Sequence, residues 1–196
     1  INLSGEDKNK VIIKGSNRDI VMGNANYVEI AGFTIDAKKL DTWDDSAIEL
    51  SSSGNFVHDN KLINSEWYGI HIKNSSHNII ENNSIINISI GIWLFKSDLN
   101  IVRNNNITLC NWVGIWIWHS SRYNFFQFNN LIKNRINIQD SDPSYKNEWN
   151  KNYWDDYYGL RFKRLSDINN DGVGRIPYRI SRFNFDWHPL MEAYER

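Results

Sequence analysis

The chain has few of the features that mark several common protein classes. It carries one cysteine, Cys110, in 196 residues, so an intramolecular disulfide framework is excluded. Its formal net charge of -1 argues against a general electrostatic attraction to nucleic acid or to an anionic membrane. No apolar run reaches the roughly 18 residues that a membrane-spanning helix requires. We therefore expect no nucleic-acid partner and no direct membrane span.

Residues that favour helices are scarce, whereas Asn and Ile are frequent. Asn favours turns, and the β-branched side chain of Ile favours strands. The hydrophobic content of 41% is sufficient for a packed core. The first residue is Ile1, with no initiating methionine and no signal-like apolar region. We therefore expect a segment of a longer chain, with other domains of that chain as partners.

Two short phrases recur with one common period. The phrase Asn-x-Val/Ile-x-x-Asn-x-Ile/Leu, or a close variant, starts four times, at Asn55, Asn78, Asn100 and Asn124. These starts are 23, 22 and 24 residues apart. The phrase Gly-Ile-x-Ile/Leu keeps the same period and starts three times, at Gly69, Gly91 and Gly114. Two phrases in constant register indicate an internal structural repeat.

Each repeat is typical of short half-buried strands, because apolar and polar residues alternate in runs of three or four. A unit of about 22 residues cannot bury its own apolar face, so successive units must stack. The sequence therefore predicts an all-β protein, a parallel β-helix, in residues 1–140. A leucine-rich horseshoe has a similar period but is disfavoured, since its L-x-x-L-x-L phrase is missing. Residues 141–196 are predicted to form an irregular cap over the end or the side of the coil.

Stacking places equivalent residues of successive turns in columns. One predicted column is polar and consists of Asn60, Asn83, Asn105 and Asn129, whose amides can bond along the coil. A predicted inward column is apolar and consists of Val57, Ile80, Val102 and Phe126. A second inward column consists of Leu62, Ile85, Ile107 and Leu131. The three glycines of the second phrase should also stack.

Outward positions of the second phrase predict an aromatic face. Strand alternation stacks one outward column of Glu49, His71, Trp93, Trp116 and Asn137. A neighbouring column contains Ser51, Lys73, Phe95, Trp118 and Gln139. Indole faces flanked by polar groups suit sugar rings. We therefore predict carbohydrate contacts at Trp93, Phe95, Trp116, Trp118, His71, Glu49 and Lys73. The alternative is a structural spacer whose aromatic face is buried by the Trp- and Tyr-rich tail.

An acidic run in the tail is a candidate calcium site. Asp167, Asn169 and Asp171 match the first half of a D-x-N-x-D-G calcium loop, with Gly172 at the sharp turn. The twelfth position of such a loop is a glutamate, and here it is Tyr178. The match predicts Ca²⁺ as the one candidate cofactor. The alternative is a side-chain-stabilised turn that needs no ion.

Three stretches carry a resemblance to a known family. They are Val28–Ile35, the tail segment Asn152–Gly159 and the segment Asp167–Gly174. Together with the Asn and Gly repeats they resemble the NosD-like, CASH-domain family of right-handed parallel β-helices, which share the pectin lyase-like fold. The resemblance implies an exported protein, extracellular, at the cell surface or periplasmic, of a type common in archaea. The family's name-giving member is a periplasmic accessory protein of copper delivery.

Three functions remain open beside the spacer. The favoured one is a non-catalytic carbohydrate-binding or adhesive module whose partner is a polysaccharide or another glycan. A polysaccharide lyase or glycoside hydrolase would need paired carboxylates, for which the acidic segment with Asp36, Asp41, Asp44 and Asp45 is the candidate. Copper delivery would need His, Cys or Met ligands, and the nearest candidates in sequence are His58, His71 and His77.

Overall fold

The structure is a computed structural model and describes residues 1–15, 18–38, 43–141, 146–157 and 171–194. Its regular secondary structure within these ranges consists of short strands. None of the described residues forms a helix with the length and hydrophobicity that a membrane crossing requires. The strands lie in three sheets, here called A, B and C.

Sheet A contains nine strands, in the order β1 (Asn2–Ser4), β4 (Glu29–Ala31), β7 (Phe56–His58), β10 (Ile79–Glu81), β13 (Ile101–Arg103), β16 (Phe125–Gln127), β19 (Glu148–Asn150), β22 (Phe185–Asp186) and β21 (Tyr178–Arg179). Sheet B contains seven, in the order β2 (Ile12–Lys14), β5 (Thr34–Asp36), β8 (Lys61–Ile63), β11 (Ser84–Ile86), β14 (Asn106–Thr108), β17 (Asn130–Ile132) and β20 (Tyr153–Trp154). Sheet C contains six, in the order β18 (Ile136–Asp140), β15 (Val113–Trp118), β12 (Ile90–Phe95), β9 (Tyr68–Lys73), β6 (Ser46–Leu50) and β3 (Val21–Gly23).

From β1 to β17, each strand pairs in parallel with the strand three places later in the chain. The chain therefore passes through sheets A, B and C once per turn. Residue Ile80 of β10, for example, lies between Val57 of β7 and Val102 of β13. This arrangement confirms the predicted parallel β-helix. Parallel pairing continues through β19 and β20, and β22 also pairs in parallel with β19. The antiparallel pairing of β21 with β22 then closes the end of sheet A.

The core lies inside the coil and follows the predicted columns. Both apolar columns are fully buried and in register, as predicted: Val57, Ile80, Val102 and Phe126; Leu62, Ile85, Ile107 and Leu131. The next turn adds two large rings, Trp149 stacked on Phe126 at 3.9 Å and Trp154 on the sheet B side. The side chains of the core are therefore larger towards the C-terminal end of the coil.

An asparagine ladder runs along the corner between sheets A and B. The Oδ1 atom of Asn105 accepts bonds from the backbone N and the Nδ2 of Asn83, at 3.0 and 3.1 Å. The Nδ2 of Asn105 donates to Ile80 O at 2.9 Å and to Asn129 Oδ1 at 3.1 Å. The same contacts repeat at every rung, which confirms and extends the predicted column: Asn60, Asn83, Asn105, Asn129 and Asn152. A second ladder follows the corner between sheets C and A: Asn55, Asn78, Asn100, Asn124 and Asn147.

A carboxylate ends the first ladder. Asp186 is fully buried, and its Oδ2 accepts bonds from Asn152 N, Asn152 Nδ2 and Trp154 Nε1 at 2.9, 3.0 and 3.2 Å. Its Oδ1 accepts from the backbone N of Lys151 and of His188. An ionised carboxylate only accepts hydrogen bonds, so it suits a position that five donors face.

Glycine is required in sheet C by a close approach between turns. A Cβ atom added to Gly91 would lie 2.6 Å from Gly114 O and 2.7 Å from Ile107 Cγ2. Gly69 and Gly114 meet the backbone of the next turn in the same way. The predicted stacking of the three glycines is therefore confirmed. Only glycine fits at these positions, because a Cβ atom would clash with the next turn.

The prediction for the last turn of sheet C was wrong. Trp116 pairs with Gln139, and Asn137 lies two positions away from the predicted place. Ile138 is the residue that continues the inward column of Ile115. Asn137 is instead buried and its Nδ2 donates to Asp155 Oδ1 at 2.9 Å. The spacing of the repeat changes near this turn, and a pattern of alternating apolar residues fits both registers.

We expect Asn105→Ala to lower the free energy of unfolding by about 3 kcal/mol. The substitution leaves the buried N–H of Asn83 without its acceptor, and it also removes the bonds that Asn105 Nδ2 donates. Asn111, which is exposed, provides the matched control, and Asn111→Ala should change the value by less than about 0.5 kcal/mol. Urea unfolding followed by far-UV circular dichroism measures both. Equal midpoints for the two variants would contradict a stabilising ladder.

Asp186→Asn tests the end of the ladder. One carboxylate oxygen would become an NH₂ group that faces N–H donors, so at least two bonds are lost and donors confront donors. We expect destabilisation of about 2–4 kcal/mol. Glu192→Gln, an isosteric change at an exposed carboxylate, is the control. A thermal unfolding midpoint as high for Asp186→Asn as for Glu192→Gln would refute the assignment.

Candidate functional site

The outer face of sheet C carries the aromatic residues in the predicted order. Trp93 lies between His71 and Trp116 on neighbouring strands. Phe95 lies between Lys73 and Trp118 in the same way. Parallel register therefore brings the large outward side chains of β12 and β15 together, one turn above the other.

The rings form one stack, here called the aromatic face: Trp93, Phe95, Trp116 and Trp118. The indoles of Trp116 and Trp118 have centroids 5.3 Å apart and planes 10° apart. Trp93 stacks on Trp116 at 5.4 Å and 20°, and on the imidazole of His71 at 4.2 Å and 11°. Phe95 meets Trp118 edge-on at 5.9 Å. Such offset and edge contacts stabilise aromatic clusters beyond their buried area.

Exposure divides the predicted contact residues into two groups. Trp93 and His71 have 3% and 0% of their surface exposed, and Glu49 is also buried. Phe95, Trp116, Trp118 and Lys73 are partly exposed. The first group lies beneath the surface and supports the second, which is the part that a ligand can touch.

Four aromatic or imidazole side chains join the face without having been predicted: Trp67, Tyr68, Trp112 and His119. Tyr68 contacts Trp93 at 4.6 Å. Simple alternation from Ile70 would turn Tyr68 inward, but Tyr68 packs outside with Trp93. Trp112 precedes its strand, where period-two reasoning does not apply. The recurring bulky residue before each Gly phrase was the available signal.

A charged cluster borders the aromatic face. Lys73 Nζ lies 2.8 Å from Asp44 Oδ2 and 3.8 Å from Glu49 Oε2. The pKa of Lys73 is raised, chiefly by the hydrogen bond to Asp44, with Glu49 and Asp19 contributing attraction. Two carboxylates therefore lie within 4 Å of one ammonium group. This border carries negative charge, in contrast with the near-neutral chain.

His71 is a buried imidazole under this cluster. Neither ring nitrogen has a hydrogen-bond partner, and Nδ1 lies 3.7 Å from Glu49 Oε2. Burial lowers the pKa of His71 to about 3, with the positive charge of Lys73 as the second cause. The ring is therefore neutral at physiological pH and acts as a flat surface against Trp93.

The described part of the tail packs on the end of the coil and on sheet B. Tyr178 stacks on Trp154 at 4.3 Å, and Leu190 pairs with Tyr153. Tyr194 exchanges hydrogen bonds with Asn130 on sheet B. These contacts engage Tyr153, Tyr178 and Tyr194, and they lie away from the aromatic face on sheet C.

The calcium prediction falls largely on residues outside the described ranges, since Asp167 and Asn169 lie there. Asp171 is described, and its Oδ1 accepts a bond from Val173 N at 3.1 Å while Oδ2 pairs with Arg175. Gly172 adopts a φ of +74°, as expected for a sharp turn. These contacts give calcium no support, so Ca²⁺ stays a prediction.

Comparison with known proteins identifies the family. The family described as "Periplasmic copper-binding protein (NosD)" matches residues 2–159. The chain belongs to the NosD family. The resemblance and the right-handed β-helix predicted from it are thereby confirmed, and the family's periplasmic description agrees with the predicted export. Searches among curated proteins and among solved structures found no match.

The donor set of this NosD-family chain does not fit the copper of the family's description. Among the described residues, no group of three or more His, Cys, Asp or Glu side chains is placed to hold a metal ion. His58 is engaged by Glu29 and Asp59, and His71 is enclosed by rings. The thiol of Cys110 is buried in the core, where burial raises its pKa to about 12. Copper sites require accessible soft or imidazole donors that converge.

His71 predicts a dependence of stability on pH. Because its pKa in the folded protein lies below the unfolded value of about 6.5, the unfolded state binds the proton more readily. Stability should fall as pH decreases from about 6.5 towards 3, by up to about 1.4 kcal/mol per pH unit. His71→Phe, which retains the stacking on Trp93, should reduce this slope.

Denaturant unfolding between pH 7 and pH 4 measures the effect. His77 is exposed, so His77→Asn serves as the control and should keep the slope of the unmodified protein. The groups around His71 are Lys73, Glu49 and Asp44, and all three remain in both variants. A slope unchanged by His71→Phe would show that protonation of His71 is not coupled to unfolding.

Proposed function

We propose that this NosD-family protein is an exported, non-catalytic module that binds a neutral glycan through the aromatic face of sheet C. The observation that carries the proposal is the pair of parallel, partly exposed indoles of Trp116 and Trp118, 5.3 Å apart. Exposed stacked aromatics at the surface of a soluble domain commonly mark a binding site. The C–H faces of pyranose rings pack on such planes while their hydroxyls bond to nearby polar groups.

The buried part of the stack favours binding because it fixes the exposed part in advance. Trp116 contacts both Trp93 and Trp118, and its Nε1 donates to Ser141 Oγ at 2.8 Å. Trp93 is itself packed between Tyr68 and His71. A platform that is already ordered loses little conformational entropy when a ligand binds.

The charged border supports a neutral ligand. Asp44, Glu49 and Asp19 all act on the single ammonium group of Lys73. An anionic polymer laid over the aromatic face would bring its carboxylates towards this negative border. The hydroxyls of a neutral sugar can instead bond to Asp44 and to Lys73.

Asp36 and Asp44, two of the carboxylates considered for catalysis, do not form the pair that hydrolysis requires. Asp36 belongs to sheet B, where Asn64 Nδ2 donates to it at 3.0 Å. Asp44 lies beside sheet C and is paired with Lys73. These two groups therefore face different sheets, and a glycosidase needs its pair about 5–9.5 Å apart on either side of one bond. Asp41 lies outside the described residues.

A structural spacer is the second candidate. The burial of Trp93 and His71 favours it, because aromatic stacking between successive turns also stiffens the coil. In that case the exposed indoles would contribute to stability and not to affinity. The two candidates differ in what Trp116→Ala changes: glycan affinity in the first, and the unfolding free energy alone in the second.

Trp116→Ala and Trp118→Ala should each weaken binding of a neutral oligosaccharide by roughly tenfold, since each removes one stacked ring of the platform. Isothermal titration with neutral glucan, mannan and galactan oligomers, and with oligogalacturonate for comparison, measures the affinities. Tyr123→Ala, at another exposed aromatic residue, should leave them unchanged. The proposal is abandoned if no neutral oligomer binds, if oligogalacturonate binds more tightly, or if Trp116→Ala retains full affinity.

A further inference from the structure

Around β22 of sheet A, buried polar side chains alternate with outward aromatic ones. Asn184 and Asp186 are buried, and Asp186 ends the asparagine ladder. Between and beside them the outward positions carry Phe183, Phe185 and Trp187. Trp187 has 60% and Phe183 44% of its surface exposed. The inner residues therefore belong to the coil, whereas Phe183 and Trp187 face outward.

These aromatic residues border a cavity of about 430 Å³. Its other side is formed by strands β16 and β19, through Phe125, Glu148 and Asn150. Parallel pairing of Trp149 with Asp186 sets the two walls side by side. The rings of Phe185 and Trp187 lie 5.4 Å apart at 43°, which gives the cavity a faceted apolar wall. Its volume is within the range of small-molecule sites.

Polar groups of complementary kind surround the same cavity. Glu148 is exposed and can accept hydrogen bonds. His188 Nδ1 lies 3.2 Å from Asn150 Oδ1, a contact that makes Nδ1 the donor and leaves Nε2 as an acceptor in the neutral ring. Asn150 then keeps its amide N–H groups as donors. The cavity thus combines aromatic faces with a carboxylate, an amide and an imidazole.

We propose that this cavity, between β19 and the segment from Phe183 to His188, is a second carbohydrate-contact site that takes one neutral pyranose unit. The ring of Trp187 supplies the stacking surface. Glu148, Asn150 and His188 supply acceptors and donors for hydroxyl groups. The site lies on sheet A, whereas the proposed glycan surface of Trp116 and Trp118 lies on sheet C, so neither proposal depends on the other.

Titration of the ¹⁵N-labelled chain with single sugars tests the site. D-glucose, D-galactose, D-mannose and N-acetyl-D-glucosamine are the probes, followed by ¹H–¹⁵N spectra at millimolar sugar. We expect one of them to shift the amide signals of Glu148, Trp187 and His188. Trp187→Ala should lower the affinity for that sugar, measured at these signals, by roughly tenfold. Glu148→Gln should lower the same affinity by about threefold or more.

Matched variants separate this site from the aromatic face. Trp116→Ala should leave the titration at Glu148 and His188 unchanged, while Trp187→Ala should leave the shifts near Trp118 unchanged. The proposal is overturned if none of the four sugars shifts the cavity signals, or if Trp187→Ala binds as tightly as the unmodified chain. It is also overturned if the same signals shift with protein concentration alone, because the cavity would then be a contact between two copies.

Discussion

The buried hydrogen bond from one turn to the asparagine of the next is the interaction on which the rest of the structure depends. At the corner between sheets A and B the backbone leaves the strand ladder, and its N–H groups would be buried without acceptors. Asn105 Oδ1 meets this need for Asn83, and Asn129 Oδ1 meets it for Asn105. Each turn therefore depends on the turn that follows it in sequence. The series ends on Asp186, whose carboxylate accepts the bonds that Asn152 donates.

Register follows from this ladder and sets the geometry of the outer faces. Because a slip of one residue would move an amide into the apolar interior and an isoleucine onto the corner, the pairing of neighbouring turns is strongly determined. The same pairing then brings Trp93 over Trp116 and Phe95 over Trp118 on sheet C. Because Gly91 and Gly114 have no side chains, these strands can lie close to each other. The stack of rings is thus a consequence of positions that are themselves decided inside the coil.

Periodicity explains why much of the fold could be predicted and where prediction failed. The columns of Val57 and of Asn60 repeat often enough for their place on the turn to be read from spacing alone. Asn137 was misplaced because the last turn changes its spacing, and two registers satisfy the same alternation. Tyr68 was missed because strict alternation from Ile70 would place it inside, whereas it packs outside against Trp93. The partners of Asp186 and the cavity beside Trp187 join residues more than 30 positions apart in a segment without a repeat, so no pattern in the sequence could indicate them.

Both candidate surfaces arise because inward and outward residues of a strand are under different constraints. An inward residue such as Ile92 or Asp186 is constrained by the core or by the ladder, whereas its outward neighbour contributes mainly to the surface. Outward positions can therefore change from polar to aromatic at little cost in stability, provided that the inward set is kept. Trp93 marks the limit of this freedom, since a ring enclosed by Tyr68, His71 and Trp116 has become part of a second small core. A β-helix of this kind can acquire a binding face on any sheet without altering the coil, and the outer residues, more than the fold, are where the function of a family member is determined.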